Sequence, residues 1–153
     1  ASIRFYFKDD NKEAELQKKL RIEINNAKAN YVATVGDPEM FDAVYIQYCV
    51  ISGRPIVSSM LEDRITKENQ LDRFSIEDPI KFNKIFRDND IKIKAFIETL
   101  IARGEFIRAQ HNQNILTPEG DFIGANMGEA VAWFKNPENS AVVNGYKNKL
   151  KLI

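Results

Sequence analysis

Few side chains in this sequence have the types and spacing that catalysis or metal binding requires. His111 is the only histidine and Cys49 the only cysteine. A histidine titrates near neutrality and can shuttle protons, but no residue at a recognisable spacing partners His111, which reads as an exposed loop side chain. Cys49 lies in an apolar helical run beside Tyr45 and Tyr48 with no base at hand, so a buried, unreactive thiol is expected. One cysteine excludes an internal disulfide, and one cysteine with one histidine excludes a zinc site of the usual spacing. Asp37, Glu39 and Asp42 have the chemistry of cation ligands, yet they fall in or beside the first turn of a helix, where the macrodipole stabilises negative charge. Glu62-Asp63 and Glu77-Asp78 are paired acids, but acid–base work needs a shared pocket that separates their pKa values, and these flank a charged segment. With no glycine-rich phosphate loop either, the expectation is no catalytic residue, no cofactor and no metal, and hence no enzyme.

The elements that would position any site follow from periodicity and caps. Ile3, Phe5 and Phe7 alternate with Arg4, Tyr6 and Lys8, the period of a short edge strand. Asp10 with Glu13 spells a capping box. Leu16, Leu20, Ile24, Ala27 and Tyr31 then share one face of a long helix. Asp37-Pro38 opens a second helix with Phe41, Val44, Tyr45, Tyr48 and Ile51 as its apolar face, and Gly53 stops it. Residues 54–59 read as a connection. Residues 60–74 read as an exposed helix, or one broken near Glu68-Asn69, with Leu61, Ile65, Leu71 and Phe74 as its sparse apolar positions.

Asp78-Pro79 repeats the cap-then-proline signal before Ile80, Phe82, Ile85 and Phe86. The next stretch carries the densest set of signals. Asp90 stands as a cap before Ile93, Phe96, Ile97, Leu100 and Ile101 at helical spacing, Gly104 closes the run, and two short apolar segments follow around a Pro118-Glu119-Gly120 turn. Asn126 with Glu129 forms a second capping box ahead of Ala130, Val131 and Phe134. Asn136-Pro137 caps a last helix carrying Val142, Val143, Tyr146 and Leu150.

The helices opening at Pro79 and Ile91 are separated by a few residues, as in helix-turn-helix pairs. Ile101-Ala102-Arg103-Gly104-Glu105-Phe106-Ile107-Arg108, followed by Ile115-Leu116-Thr117-Pro118-Glu119-Gly120, resembles the recognition helix and wing of winged-helix regulators, over residues 79–124. The resemblance implies a groove-facing Lys92, Lys94 and Arg103, and a wing that brings Arg108, Gln110 and His111 near phosphates. Residues 79–113 hold seven Lys or Arg against four Asp or Glu, which is locally basic. The wing itself carries Asn112, Gln113 and Asn114 where those regulators place Arg and Lys. The residue-level alternative is that Thr117-Pro118-Glu119-Gly120 is a turn chosen for proline's fixed φ and glycine's tolerance of positive φ.

A chain of 153 residues with 44% hydrophobic and 29% charged residues has the size and composition of one globular domain. Lys plus Arg equals Asp plus Glu at 22 each, so no global field draws it to nucleic acid or an anionic membrane. No apolar stretch approaches the roughly 18 residues of a membrane helix, and Ala1 to Tyr6 hold no signal-peptide run. The expected location is the cytoplasm, host-cell cytoplasm or a virion. The abundance of Ile, Asn and Lys fits an AT-rich genome such as many phages have. The expected fold is α+β and mostly α-helical: five to seven helices with one hairpin, about Glu105–Arg108 against Ile115–Ile123, winged-helix-like in the C-terminal half. One domain spans 1–153, a helical part to about 74 and a helix–hairpin–helix part from about 75. Its expected core is Leu20, Val44, Tyr48, Phe86, Phe96, Ile97, Leu100, Val131 and Phe134. The aromatic load exceeds what one small core needs, and aromatics are enriched at interfaces. The expected function is therefore a non-catalytic protein-interaction or assembly module, a phage virion or accessory component that binds other subunits or itself. The alternative is a nucleic-acid-binding winged-helix protein using Lys92, Lys94, Arg103, Arg108 and His111.

Overall fold

The architecture, taken from a computed structural model, is described for residues 2–152, with side chains for 11–150. Eight α-helices and a small three-stranded antiparallel sheet make a mostly helical α+β protein among the described residues. The helices are α1 (Ser2–Val35), α2 (Pro38–Ser52), α3 (Ile56–Met60), α4 (Arg64–Glu77), α5 (Pro79–Arg87), α6 (Ile91–Ala102), α7 (Met127–Lys135) and α8 (Ser140–Leu152). The strands are β1 (Ile107–Arg108), β2 (Ile115–Leu116) and β3 (Phe122–Gly124), in that spatial order. The chain forms two compact units that interleave in sequence. The first is Ala1–Phe41 with Asp63–Asp88, and the second Asp42–Glu62 with Asn89–Ile153.

In the first unit α1 packs on α4 and α5, which also pack on each other. Ala27 and Thr34 of α1, Phe41 of α2, Leu71 of α4, and Phe82 and Ile85 of α5 are buried there. Phe74 meets Phe82 edge-on at 5.9 Å. The α1–α5 register is set by polar groups. Asn83, fully buried, donates through Nδ2 to the Glu23 backbone oxygen at 2.9 Å and to Glu23 Oε2 at 2.6 Å, while its Oδ1 accepts from Asn30 Nδ2 at 2.9 Å. Arg64 of α4 reaches α1 and α2: its Nη2 donates to the Val35 carbonyl at 3.0 Å and its guanidinium lies 3.6 Å from the Phe41 ring centroid, while its Nε pairs with Glu68 of its own helix at 3.0 Å. This occupies an orphan carbonyl at the end of α1 and places a cation over an aromatic face.

α1 departs from the sequence expectation. It begins at Ser2, so the segment read as an edge strand at Ile3–Phe7 is helical, and Asp10 with Glu13 lies inside the helix rather than capping it. Five alternating residues supply no partner strand, whereas adding turns to an already nucleated helix carries no nucleation cost. Side chains 2–10 lie outside the described residues. Leu20, expected in the core, is 47% exposed, and every side chain from Asn11 to Ile22 is exposed, because burial on α1 starts at Glu23.

The second unit is built on local stop signals and one aromatic cluster. α2 and α6 end in the same way: Gly53 (φ 71°) and Gly104 (φ 79°) sit in the left-handed region, with Arg54 N–H donating to Cys49 O and Glu105 N–H to Leu100 O, both at 2.9 Å. α3 forms where a connection was expected, and α4 is unbroken at Glu68-Asn69. Asp90 precedes α6 without a side-chain cap bond and instead pairs with Lys135 at 2.5 Å. Asn126 does cap α7, accepting from Glu129 N–H at 2.9 Å, and Glu129 Oε2 accepts from Ala125 N–H at 2.6 Å.

The hairpin runs Ile107↔Leu116 and Arg108↔Ile115, and Thr117-Pro118-Glu119-Gly120 turns the chain into the third strand, with Gly120 at φ 96°. Ile97, Leu100, Phe106, Ile115, Ile123, Val131, Phe134 and Val143 form the core of this unit. Phe134 is its centre, edge-on to Phe96 at 5.6 Å, Phe106 at 5.7 Å and Trp133 at 5.2 Å. Of the other expected core residues, Val44 is buried, whereas Tyr48, Phe86 and Phe96 are half-buried. Gly124 lets β3 touch α7: a Cβ there would stand 2.6 Å from Ala130 N and 3.0 Å from the Glu129 carbonyl carbon.

Two stability predictions follow from these contacts. Asn83→Ala removes the hydrogen bonds that tie α5 to Asn30 and Glu23, leaving Glu23 with Arg87 alone, and is expected to cost about 1–3 kcal/mol in urea unfolding. Asn83→Asp, which faces Glu23 with a second carboxylate, is expected to cost more. Gly124→Ala pushes backbone against backbone and is expected to lose about 1–3 kcal/mol, with an unchanged denaturation midpoint refuting the close approach.

Candidate docking cleft

An apolar concavity lies within the second unit, where α3 and the last turn of α6 form its two walls. The Gly53 stop ends α2, Pro55 starts α3 after a two-residue turn, and α3 turns Ile56 and Ser59 inward. Two aliphatic side chains of the same segment are left outside: Val57 is 45% and Leu61 84% exposed. With Ile46, Ile56, Met60 and Ala102 they line a cleft of about 630 Å³. That size is typical of sites that enclose a small ligand or several aliphatic side chains. Thr99 also lines it, but its hydroxyl donates to the Ala95 carbonyl at 2.8 Å, so the wall there is chemically apolar.

The polar rim has two charged groups. Glu105 is engaged by Lys149 Nζ at 3.0 Å, which holds that ammonium above its ordinary pKa. Arg103, exposed at the end of α6, makes no ion pair among the described residues. Behind the cleft, Tyr45 and Cys49 of α2 are buried, and Tyr45 Oη donates to Ser59 O at 3.5 Å. Burial, reinforced by Cys49, pushes the Tyr45 phenol up to about 12. Burial likewise raises the Cys49 thiol, outweighing hydrogen bonds from Ser59 and Tyr45 and the pull of Arg54. Both groups are neutral at physiological pH, so neither offers a nucleophile.

The basic residues expected at a nucleic-acid face do not converge. Lys92 and Lys94 both belong to the first turn of α6 and, two residues apart, point to nearly opposite sides of it. Arg103 stands at the other end of α6, about 16 Å away along the axis. Arg108 on β1 is held by Glu98, itself buried in α6, at 2.6 Å. His111 is exposed in the loop between β1 and β2, where Ala109 N–H donates to Asn114 O at 2.9 Å.

Asp37 acts as a cap, accepting from Met40 N–H at 3.3 Å, as does Asp78 from Lys81 N–H at 3.3 Å. Among the described residues no group of three or more His, Cys, Asp or Glu could hold a metal ion, and no helix is long and apolar enough to cross a membrane. Among the described Phe, Tyr and Trp side chains only Phe122, at 58%, is exposed, and the rest of the exposed apolar surface is aliphatic. The cleft had no signature in the sequence, since α3 reads as a connection and only the charge-poor run Ile56-Val57-Ser58-Ser59-Met60-Leu61 hints at it. No protein family, curated protein or solved structure matches the chain.

A titration of stability against pH tests the environment behind the cleft. With the folded phenol at about 12 and an unfolded value near 10, the unfolded chain releases its proton first. Stability contributed by neutral Tyr45 is present below pH 10 and falls as pH rises toward 12, with Cys49 adding to the loss in the same direction. Tyr45→Phe should flatten the decline, measured by urea unfolding from pH 8 to 11. An identical slope in the variant would place the phenol in solvent.

Proposed function

We propose that this chain is a non-catalytic interaction and assembly module that seats an apolar segment of a protein partner in the cleft between α3 and α6. The observation that carries the reading is a cleft of about 630 Å³ whose lip holds Val57 and Leu61 in solvent. Aliphatic side chains left exposed beside an apolar cavity gain about 25 cal/mol for each Å² a partner covers. A charged rim supplies orientation. Buried neutral Tyr45 and Cys49 and the local capping roles of Asp37 and Asp78 support the non-catalytic reading.

The nucleic-acid reading rests on Lys92, Lys94, Arg103, Arg108 and His111. It has less geometric support, because Arg108 would have to leave Glu98 to reach a phosphate. The two readings differ in salt dependence, since phosphate contacts release counterions whereas docking buries apolar anchors. Fluorescence titration with mixed-sequence DNA and RNA at two salt concentrations is expected to give only weak, salt-sensitive association. Submicromolar binding near physiological salt, abolished by Lys92→Ala with Lys94→Ala, would replace the docking reading with the winged-helix one. The cleft itself is read with anilinonaphthalene sulfonate. The native chain should enhance the dye's fluorescence, and Ala102→Trp should remove that enhancement at an unchanged thermal transition. A native chain that leaves the dye dark would remove the cleft as a docking site.

A further inference from the structure

Among the described residues an apolar ridge and an apolar cleft are both open to solvent. On α1, Leu16 (65% exposed), Leu20 (47%) and Ile24 (37%) recur every fourth residue, a ridge about 12 Å long on a helix whose described side chains are all exposed up to Ile22. The second surface is the α3–α6 cleft. A helix that presents aliphatic anchors at such spacing is what an apolar groove of this kind receives. Charge agrees with shape. Glu13 lies three residues before Leu16 and so on the ridge side of α1, and Arg103 stands on the cleft rim with no ion pair among the described residues. Glu23, the other acid near the ridge, is already held by Asn83 and Arg87.

We propose that the cleft of one copy of this chain receives the Leu16–Leu20–Ile24 ridge of a second copy, with Glu13 of the incoming helix meeting Arg103. The proposal rests on the docking reading of the cleft and names its occupant. Ridge and cleft are different surfaces of the chain, so the contact is heterologous. Two copies that exchange ridges reciprocally close into a two-fold dimer, and copies that engage in one direction only grow into a ring or a filament. A ridge of three aliphatic side chains is a small interface, and association in the micromolar range suits it.

Sedimentation of the full chain tests this with two variants. Leu16→Asp with Leu20→Asp destroys the ridge and leaves the cleft, and Ala102→Trp fills the cleft and leaves the ridge. The wild type should increase in mass to a dimer or beyond as concentration rises. Each variant alone should be a monomer, and an equimolar mixture of the two should form a heterodimer and stop there, because only one competent cleft and one competent ridge remain. Glu13→Arg or Arg103→Glu alone should weaken assembly, and the chain carrying both should regain it, a rescue that does not depend on how Ala102→Trp folds. A wild type that stays monomeric at every concentration while still lighting the dye overturns self-assembly and leaves the docking reading standing, whereas a monomer that leaves the dye dark removes both. Self-association of the Ala102→Trp variant would show that ridges pair with ridges and would overturn the proposal. Failure of the charge reversal to rescue would do the same for the Glu13–Arg103 contact.

Discussion

The carboxamide of Asn83 governs the first unit. A buried amide must find its partners or forfeit its hydration, and this one finds them on α1 alone, through the backbone and side chain of Glu23 and the side chain of Asn30. Apolar contacts such as Ala27 and Ile85 tolerate sliding, whereas this set of hydrogen bonds is satisfied in one register. Fixing α5 at Glu23 also fixes where packing on α1 begins. The described side chains N-terminal to that point, Asn11 to Ile22 with Leu16 and Leu20 among them, stand in solvent.

The second unit uses a different device. Phe134 is surrounded edge-on by three rings, an arrangement that places the positive ring edges against negative faces and orients α7 relative to α6 and the sheet. Gly124 permits that orientation by letting two backbones meet. The Arg108–Glu98 pair then ties the hairpin to α6. Glu98 is buried, so its charge is tolerated only because the guanidinium accompanies it.

Signals confined to a few residues were legible in the sequence. Asp37, Asp78 and the Asn126–Glu129 box cap the helices expected of them, and Gly53 and Gly104 end α2 and α6, because each acts on backbone groups within one turn of itself. Signals that depend on distant partners were not. Asp90 has the sequence of a cap and pairs with Lys135 instead. Leu20 has the periodicity of a core residue, but periodicity identifies a helix face without saying whether anything covers it. α3 is five residues long, too short for a pattern, and it forms where the chain passes from the stop at Gly53 to Arg64. The cleft inherits that opacity, since its walls come from segments some forty residues apart. For the basic positions residue type was readable, whereas the helical angle between Lys92 and Lys94 and the Glu98 partner of Arg108 belong to three dimensions.

The interleaving of the two units bears on the order in which the chain can mature. Unit one needs α5, so it cannot close until residue 88 has been synthesised, and by then residues 42–62 have already emerged with their own partners still unmade. Ala43, Val44, Ile46 and Ile56 must wait for α6 and the segments after it. During vectorial synthesis this leaves an apolar helix and its short successor tethered at both ends to an already folded body, in a closed loop of 21 residues. Such a loop costs little entropy to hold, since closure cost grows only with the logarithm of length, but it is exposed to proteases and holdase chaperones for as long as translation of residues 89–153 lasts.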